Sequence, residues 1–464
     1  MWQNAWFGEM ADRSRIRQSH LDSAQIPTLW DPLGVWPSAR PWLWAGMAVL
    51  IGSTMVPVYV AELSRRDDPM TDFFQEWASA RNYLEGLPLY TNHAVTIPRY
   101  LGKQDLNASD LFVEVNAHPP TSILLAISLG TISYRKALLV WNLLSLAMFI
   151  ASLILVWHGL RIPFSTWSLF PATTLILLCI PLLLHIHFGQ LTLLLLLLLT
   201  GVWAADRANQ GIRAGMLLGA AVTIKLFPGT LFLFFIARKR WKTVLAGLVS
   251  IALITLLTGL VFGFGVYPYY AHQIIPRVAK YRGLWFNQSL PGYWTKLFDP
   301  PKEYRYIEPL TRSILYACSA TVLTCTTVLV SVWWAVRRAR TPTALDLAFG
   351  LTVTGMLLVS PITWDHYLLL TLIPLATVWI QLPESLASRA LFLAIVIAFW
   401  SWPYKVFDLT ISGGIVHGVA GPAHTLTIGS YQCYALIALF GLQIAGLRRL
   451  EKTSAVGGVG RPAP

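Results

Sequence analysis

Apolar blocks recur from one end of the chain to the other, and they leave few folds open. They fall near 40–62, 120–133, 136–158, 165–184, 189–205, 211–225, 226–237, 241–266, 312–336, 344–360, 366–381, 388–404 and 426–447. About 20 apolar residues are needed to cross a bilayer, and inside lipid every backbone polar group must be satisfied by the segment itself or its neighbours. The expected fold is therefore an all-α polytopic membrane protein. Composition agrees: 55% of the 464 residues are hydrophobic and 12% charged, against about 25% charged in a soluble domain. Disordered, collagen-like and disulfide-scaffold chains are excluded together.

Lys and Arg number 35 against 22 Asp and Glu, a formal charge of +13. The cations cluster at span ends: Arg238-Lys239-Arg240 with Lys242, Arg337-Arg338 with Arg340, and Arg448-Arg449 with Lys452. This is the pattern that sets membrane orientation. With no soluble basic face interleaved with aromatics, nucleic acid is not an expected partner. Cys179, Cys318, Cys325 and Cys433 lie in apolar stretches and match no disulfide or zinc spacing.

Placing the basic turns inside puts residues 267–311, 361–365 and 405–425 outside. Residues 1–38 lack an apolar core with a cleavage site and read as a cytoplasmic tail; 39–450 form one transmembrane domain, and 451–464 a disordered cytoplasmic tail. The two halves agree if one block between 136 and 205 fails to cross, and 165–184, with Pro171 and Pro181, is the candidate re-entrant segment. About twelve spans result. The two largest polar loops, 63–119 and 267–311, then share the extracytoplasmic face, where chemistry is expected.

In the first outer loop, Thr71 or Asp72 can cap a helix whose residues Phe73, Trp77, Ala80 and Leu84 form one apolar stripe, as in an interfacial amphipathic helix. Asp72 and Glu76 are one turn apart on a shared face. Such a pair can divide general-base work from orientation or cation binding; on spacing alone, a capped helix with a solvated face is the plainer account. Polar residues also interrupt span ends at His118-Pro119-Pro120, His185-Ile186-His187-Phe188-Gly189-Gln190, Lys225, Asn287-Gln288-Ser289 and Trp364-Asp365-His366. An ionisable group at membrane depth is costly, which makes Lys225 a functional candidate. Nothing in the chain resembles a Walker loop, a dinucleotide fingerprint or a GxSxG elbow, and no metal or cofactor is expected.

Taken in order, these motifs resemble the polytopic glycosyltransferases of family 87, which have the GT-C membrane fold. The likeness runs from Asp72-Phe73-Phe74 with Gly86 and Tyr90 through His118-Pro119-Pro120, Gly189-Gln190, Gly215 to Lys225 with Pro228, the Arg-Lys-Arg-Trp turn at 238–241, Asn287-Gln288-Ser289, and Ser360-Pro361 with Trp364 and His366. It covers roughly residues 40–380. Two positions depart: the family pattern usually has Tyr where His118 stands, and often a His pair where Asp365-His366 stands.

The resemblance implies a GT-C-like bundle of about twelve helices with extracytoplasmic juxtamembrane helices, in the inner or plasma membrane. It implies transfer of mannose, another hexose or arabinofuranose from a polyprenyl-phosphate donor to a hydroxyl of a glycan or glycolipid acceptor, with inversion. Asp72 would be the general base. Lys225, His366 and Arg81 would serve the leaving phosphate, and Glu76, His118, Gln190, Asn287, Gln288, Trp364 and Asp365 would bind sugar or acceptor. The bilayer would deliver the donor. The competing readings are a ligase or polymerase of preassembled glycans, as for O-antigen, and a polytopic lipid or sugar transporter, which predicts paired repeats.

Overall fold

The computed structural model describes residues 40–64, 72–103, 114–162, 166–301, 307–383, 385–407 and 421–458. The N-terminal tail, a cap by Thr71 and the last residues of the C-terminal tail lie outside the described residues. Helices carry the fold. Six are long and apolar enough to cross a bilayer among the described residues: Trp42–Leu63, Tyr134–Gly159, Trp241–Phe262, Ile314–Arg338, Pro342–Val359 and Ile428–Lys452. Gly211–Ile224, Phe227–Ala237 and Leu386–Trp400 are shorter apolar helices. The gap from the thirteen apolar blocks has a physical cause. Block 120–133 divides into a helix Pro120–Ala126 and a 3-10 turn Leu129–Thr131, and block 366–381 into a 3-10 segment Asp365–Thr371 and a helix Leu372–Gln381. Block 165–184 breaks at residues 178–179, between helices Thr166–Leu177 and Ile180–Phe188.

The chain divides into two compact units, one from Met1–Met55 with Pro163–Leu177 and the other from Val56–Ile162 with Leu178–Pro464. In the first, Gly52 lies against Leu177. The second holds the candidate site, and its positioning elements are α1 (Asp72–Leu84), α2 (Tyr134–Gly159), α3 (Ile180–Phe188), α4 (Thr192–Arg207), α5 (Gly211–Ile224), α6 (Trp241–Phe262), α7 (Leu290–Phe298), α8 (Pro342–Val359) and α9 (Tyr431–Gly458). The last of these runs as helix into the stretch expected to be a loose tail.

Within this unit α4 packs between α2 and α5, α5 against α6, and α8 against α9. The α5–α6 contact is built from glycines. A Cβ on Gly215 would lie 2.3 Å from the Thr243 carbonyl oxygen, and one on Gly219 would lie 2.5 Å from that of Gly247. Small residues four apart let two helix backbones approach in a lipid setting, where packing replaces the hydrophobic drive. At the far end of α4, Arg207 pairs with Asp346 of α8, Trp203 Nε1 donates to the same carboxylate at 2.9 Å, and Arg238 reaches Asp206 at 2.7 Å.

Candidate active site

Helix α1 begins on Asp72, whose charge suits the positive end of the helix dipole. It ends in a Schellman turn: Leu87 N donates to Asn82 O at 2.8 Å and Gly86 N to Tyr83 O at 3.1 Å, with Gly86 left-handed at φ 72°. Its burial differs from the expected amphipathic stripe. Residues 73–80 are buried on every side, including Gln75 and Glu76, whereas Leu84 is exposed. Glu76, only 2% exposed, is therefore no part of a solvated face.

A second segment meets α1 at the left-handed turn that ends α3. Gly189 has φ 63°, and a Cβ there would lie 2.6 Å from Phe73 Cβ and 2.8 Å from Leu138. Only glycine fits both the conformation and the approach. Helix α2 fixes this turn from behind: Trp141 Nε1 donates to Gly189 O at 2.9 Å and Asn142 Nδ2 to Ile186 O at 3.0 Å. Gln190 is thereby aimed at Asp72, and its Nε2 donates to Asp72 Oδ2. Gln75 Nε2 donates to the other oxygen at 3.0 Å. Burial pushes the Asp72 carboxyl above the ordinary aspartate value. The neighbouring charges of His366, His118 and Lys225 pull it back, and Glu76 adds to the rise.

The third segment, 116–118, is tied to the same helix. Asn116 Nδ2 donates to Gln75 O and Ser79 Oγ, at 3.0 and 3.1 Å, and Ala117 N donates to Gln75 Oε1 at 2.9 Å. His118 N donates to Asn116 Oδ1, and its carbonyl accepts from Tyr90 Oη, both at 2.9 Å. The His118 ring then pairs through Nδ1 with Glu76 Oε1.

Lys225 ends α5 in an extended conformation. Its Nζ donates to Tyr367 Oη at 2.5 Å and stands 4.5 Å from the centre of the Tyr367 ring. Beside it, His366 N donates to Asp365 Oδ1 at 2.8 Å; His366 Nδ1 lies 3.3 Å from that oxygen, at ion-pair distance but not aligned as a hydrogen bond. The Lys225 charge reaches Asp72, His185 and His366. Around this point several buried polar atoms make no hydrogen bond: both ring nitrogens of His185, Gln190 Oε1, Thr192 Oγ1, Asp365 Oδ2 and His366 Nε2. Buried polar atoms are nearly always paired, so the cluster has hydrogen-bonding capacity left for a polar guest.

Not every expected site residue joins this cluster. Arg81, near the other end of α1, donates to Glu85 at 2.9 Å and to Gly130 O at 3.1 Å. Trp364 packs against Phe286, with ring centres 4.6 Å apart. Asn287 uses its whole amide inside the protein: Nδ2 donates to Arg282 O and Pro361 O, and Oδ1 accepts from Ser289 N and Thr363 N. Gln288 accepts from Cys433 N at 3.2 Å, and its own N donates to Thr363 O at 2.8 Å. These two amides join the loop 267–311 to the turn after α8.

Sequence reasoning passed over Gln75, Asn116, Tyr367 and Lys296. The last is 2% exposed, and its ammonium donates to the Trp285, Asn287 and Gly429 carbonyls, each at 3.1 Å. Lys296 falls in the stretch 267–311, read as a polar loop, so the signal that singled out Lys225, a lysine interrupting an apolar block, was absent there. For Gln75 and Asn116 there was none, since their partners are distant in sequence.

The profile of glycosyltransferase family 87 matches residues 116–361, more than half of the chain. The chain belongs to that family. Among curated proteins none matches it. The family 87 match takes in His118, Gln190, Lys225, Asn287 and Gln288, while Asp72, Glu76, Arg81, Trp364, Asp365 and His366 lie outside it. Together with the apolar helices, membership makes this a membrane glycosyltransferase.

Proposed function

We propose that this glycosyltransferase moves a hexose or arabinofuranose from a polyprenyl-phosphate donor to an acceptor hydroxyl at the extracytoplasmic face, inverting the anomeric centre. The carrying observation is one cluster that sets a half-buried carboxylate, Asp72, beside two groups able to meet a phosphate, Lys225 and His366. In the transfer the acceptor hydroxyl gives its proton to Asp72 as its oxygen bonds to the anomeric carbon. The carbon–oxygen bond to phosphate breaks, and its electron pair stays on the phosphate. A carboxylate held above its ordinary proton affinity is the stronger base for this step. The ammonium of Lys225, steadied by Tyr367, and Nε2 of His366 compensate the charge that develops on the departing phosphate.

Gln190 orients the base through Nε2 and keeps Oε1 for a sugar hydroxyl. Asp365 Oδ2 supplies a further sugar contact, Trp364 steadies the turn before it by packing on Phe286, and the Glu76–His118 pair stands beside the base. Asn287 and Gln288 serve through the loop they fasten. Arg81 is offered no role in this reading, because its partners lie at the other end of α1. The lipid tail rests in the bilayer against a bundle of about twelve crossings.

The test compares wild type with Asp72→Asn in membranes supplied with a radiolabelled polyprenyl-phosphate mannose or arabinofuranose. Transfer that collapses in an equally abundant variant supports the reading. Transfer that survives removes Asp72 as base. Transfer from a lipid-diphosphate-linked oligosaccharide alone would move the protein to the ligase or polymerase class.

A further inference from the structure

One pair of groups beside Asp72 has no part in bond making. Glu76 is one turn from Asp72 on α1, so the two side chains are neighbours on the helix surface. The Glu76 carboxylate is buried, with 3% of its side-chain surface exposed, and a lone buried carboxylate is costly. His118 meets it through Nδ1, leaving Nε2 as the ring's other proton-carrying atom. The ring is held firmly: the backbone on both sides of His118 is tied by Asn116, Gln75 and Tyr90. Unlike Glu76, the His118 side chain keeps 15% of its surface. The arrangement is an imidazole anchored through its backbone, oriented by a buried carboxylate and still in part accessible to solvent.

A proton problem exists at the same place. Each transfer leaves a proton on Asp72, and the next acceptor requires Asp72 as carboxylate. Among side chains, imidazole is the one that ordinarily gains and loses a proton between about pH 5 and 8. The other titratable groups of the cluster are poor outlets: Tyr90 and Tyr270 hold their protons, and the imidazoles of His185 and His366 and the Lys225 ammonium are buried, with 0%, 3% and 5% of their surface exposed, so none of them opens to solvent as His118 does.

We propose that His118, oriented by Glu76, is the proton outlet of the site: it takes from Asp72 the proton removed from the acceptor hydroxyl and releases it to the outer solvent. The step balances. Protonated Asp72 returns to carboxylate as neutral His118 becomes imidazolium, Glu76 stabilises that cation, and loss of the proton to water restores neutral His118. This rests on the reading of Asp72 as the base. His118 acts on turnover and not on binding, so its removal lowers kcat and leaves KM in place.

The experiment uses the full-length protein in lipid nanodiscs with a radiolabelled polyprenyl-phosphate mannose or arabinofuranose and an acceptor that the wild type uses. His118→Gly, His118→Gln, Glu76→Gln and Asp72→Asn are measured at matched protein levels. His118→Gly is expected to lose about 10²-fold in kcat with KM little changed, and added imidazole to restore rate in proportion to its unprotonated form. His118→Gln, whose amide still donates to Glu76, keeps the fold and loses the same factor without rescue, because its side chain fills the place imidazole would take. It carries the test if the glycine variant fails to accumulate. Glu76→Gln loses part of kcat and is not rescued, since His118 remains in place.

The proposal is overturned if His118→Gln turns over like wild type, if KM rises while kcat holds, or if a well-folded His118→Gly ignores imidazole. Full transfer by Asp72→Asn would instead remove the base reading beneath it. Loss in Asp72→Asn with wild-type turnover in both His118 variants would remove only the outlet.

Discussion

Asp72 is held where its two demands conflict. Burial favours its neutral form, and the reaction needs it charged. Because its proton affinity is raised in the folded protein, the stability it contributes is present in acid and lost as pH rises through its folded-state value. Two outcomes follow with opposite signs. Asp72→Asn should melt at or above the wild-type temperature near neutral pH, since its amide oxygen still accepts from Gln75 and its NH2 can donate to Gln190 Oε1 once that amide turns over, without the partly buried charge, while its transfer rate falls by about 10³-fold. In the wild type, transfer should fail on acidification from a pH above the ordinary aspartate range. Thermal unfolding and a pH–rate profile on the same preparation check both. A variant that loses activity and stability in step would mean that Asp72 is structural.

At this scale the sequence was informative where a polar residue interrupts a span end, and silent where partners are distant. His118, Gln190, Lys225 and His366 interrupt or flank apolar blocks, Asp72 and Glu76 stand one turn apart on one helix, and all six meet in one cluster. Gln75 and Asn116 look like ordinary loop and helix amides until the chain folds. Asn287 was legible as a motif residue, but its role changes with its partners, because all four of its hydrogen-bonding positions are taken by the protein itself. Asn287→Ala should therefore act through stability. Leaving Ser289 N, Thr363 N and the Arg282 carbonyl without their partner costs about 1–3 kcal/mol for each group, to be read as a lower unfolding midpoint with transfer lost in proportion to folded protein.

Elements were legible by hydropathy more than by length. A block of apolar residues is counted whether it crosses lipid in one piece or breaks inside protein, and the two differ in what surrounds them. The candidate span Pro342–Val359 has 78% of its length buried within the protein, whereas Trp42–Leu63 has 0%, and their compositions do not reveal this. Hydropathy was silent as well about the glycines that bring α5 against α6. Gly215 and Gly219 lie on α5 directly over the α6 backbone, with no space for a methyl group. Gly215→Ala should push the two helices apart and cost about 1–3 kcal/mol. Gly46→Ala is the control, with nothing within 4 Å of its added Cβ. A lower unfolding midpoint in the first and not the second is expected. Equal behaviour would mean that the α5–α6 contact is looser than drawn.

Across the whole helical unit, the chemistry and the basic clusters lie at opposite ends of the same helices. Helix α4 starts beside Gln190 and finishes at Arg207; α5 returns from Gly211 to Lys225; α8 starts near Asp346, the partner of Arg207, and leads into Ser360 and Asp365. The Asp72 cluster and the Arg207–Asp346 pair are thus separated by the length of α4, and whichever membrane face holds one, the other face holds its opposite. Basic turns stay on the cytoplasmic side, and Arg238-Lys239-Arg240 follows the short helix Phe232–Ala237 at the Arg207 end, where Arg238 meets Asp206. One labelling experiment therefore orients the entire site. In a fully active variant without its native cysteines, a membrane-impermeant thiol reagent applied to intact cells should label Lys103→Cys and Glu308→Cys, and should label Lys239→Cys only after permeabilisation. The reverse pattern would place Asp72 toward the cytoplasm, where soluble nucleotide-sugars are at hand, and the polyprenyl-phosphate donor would lose its rationale.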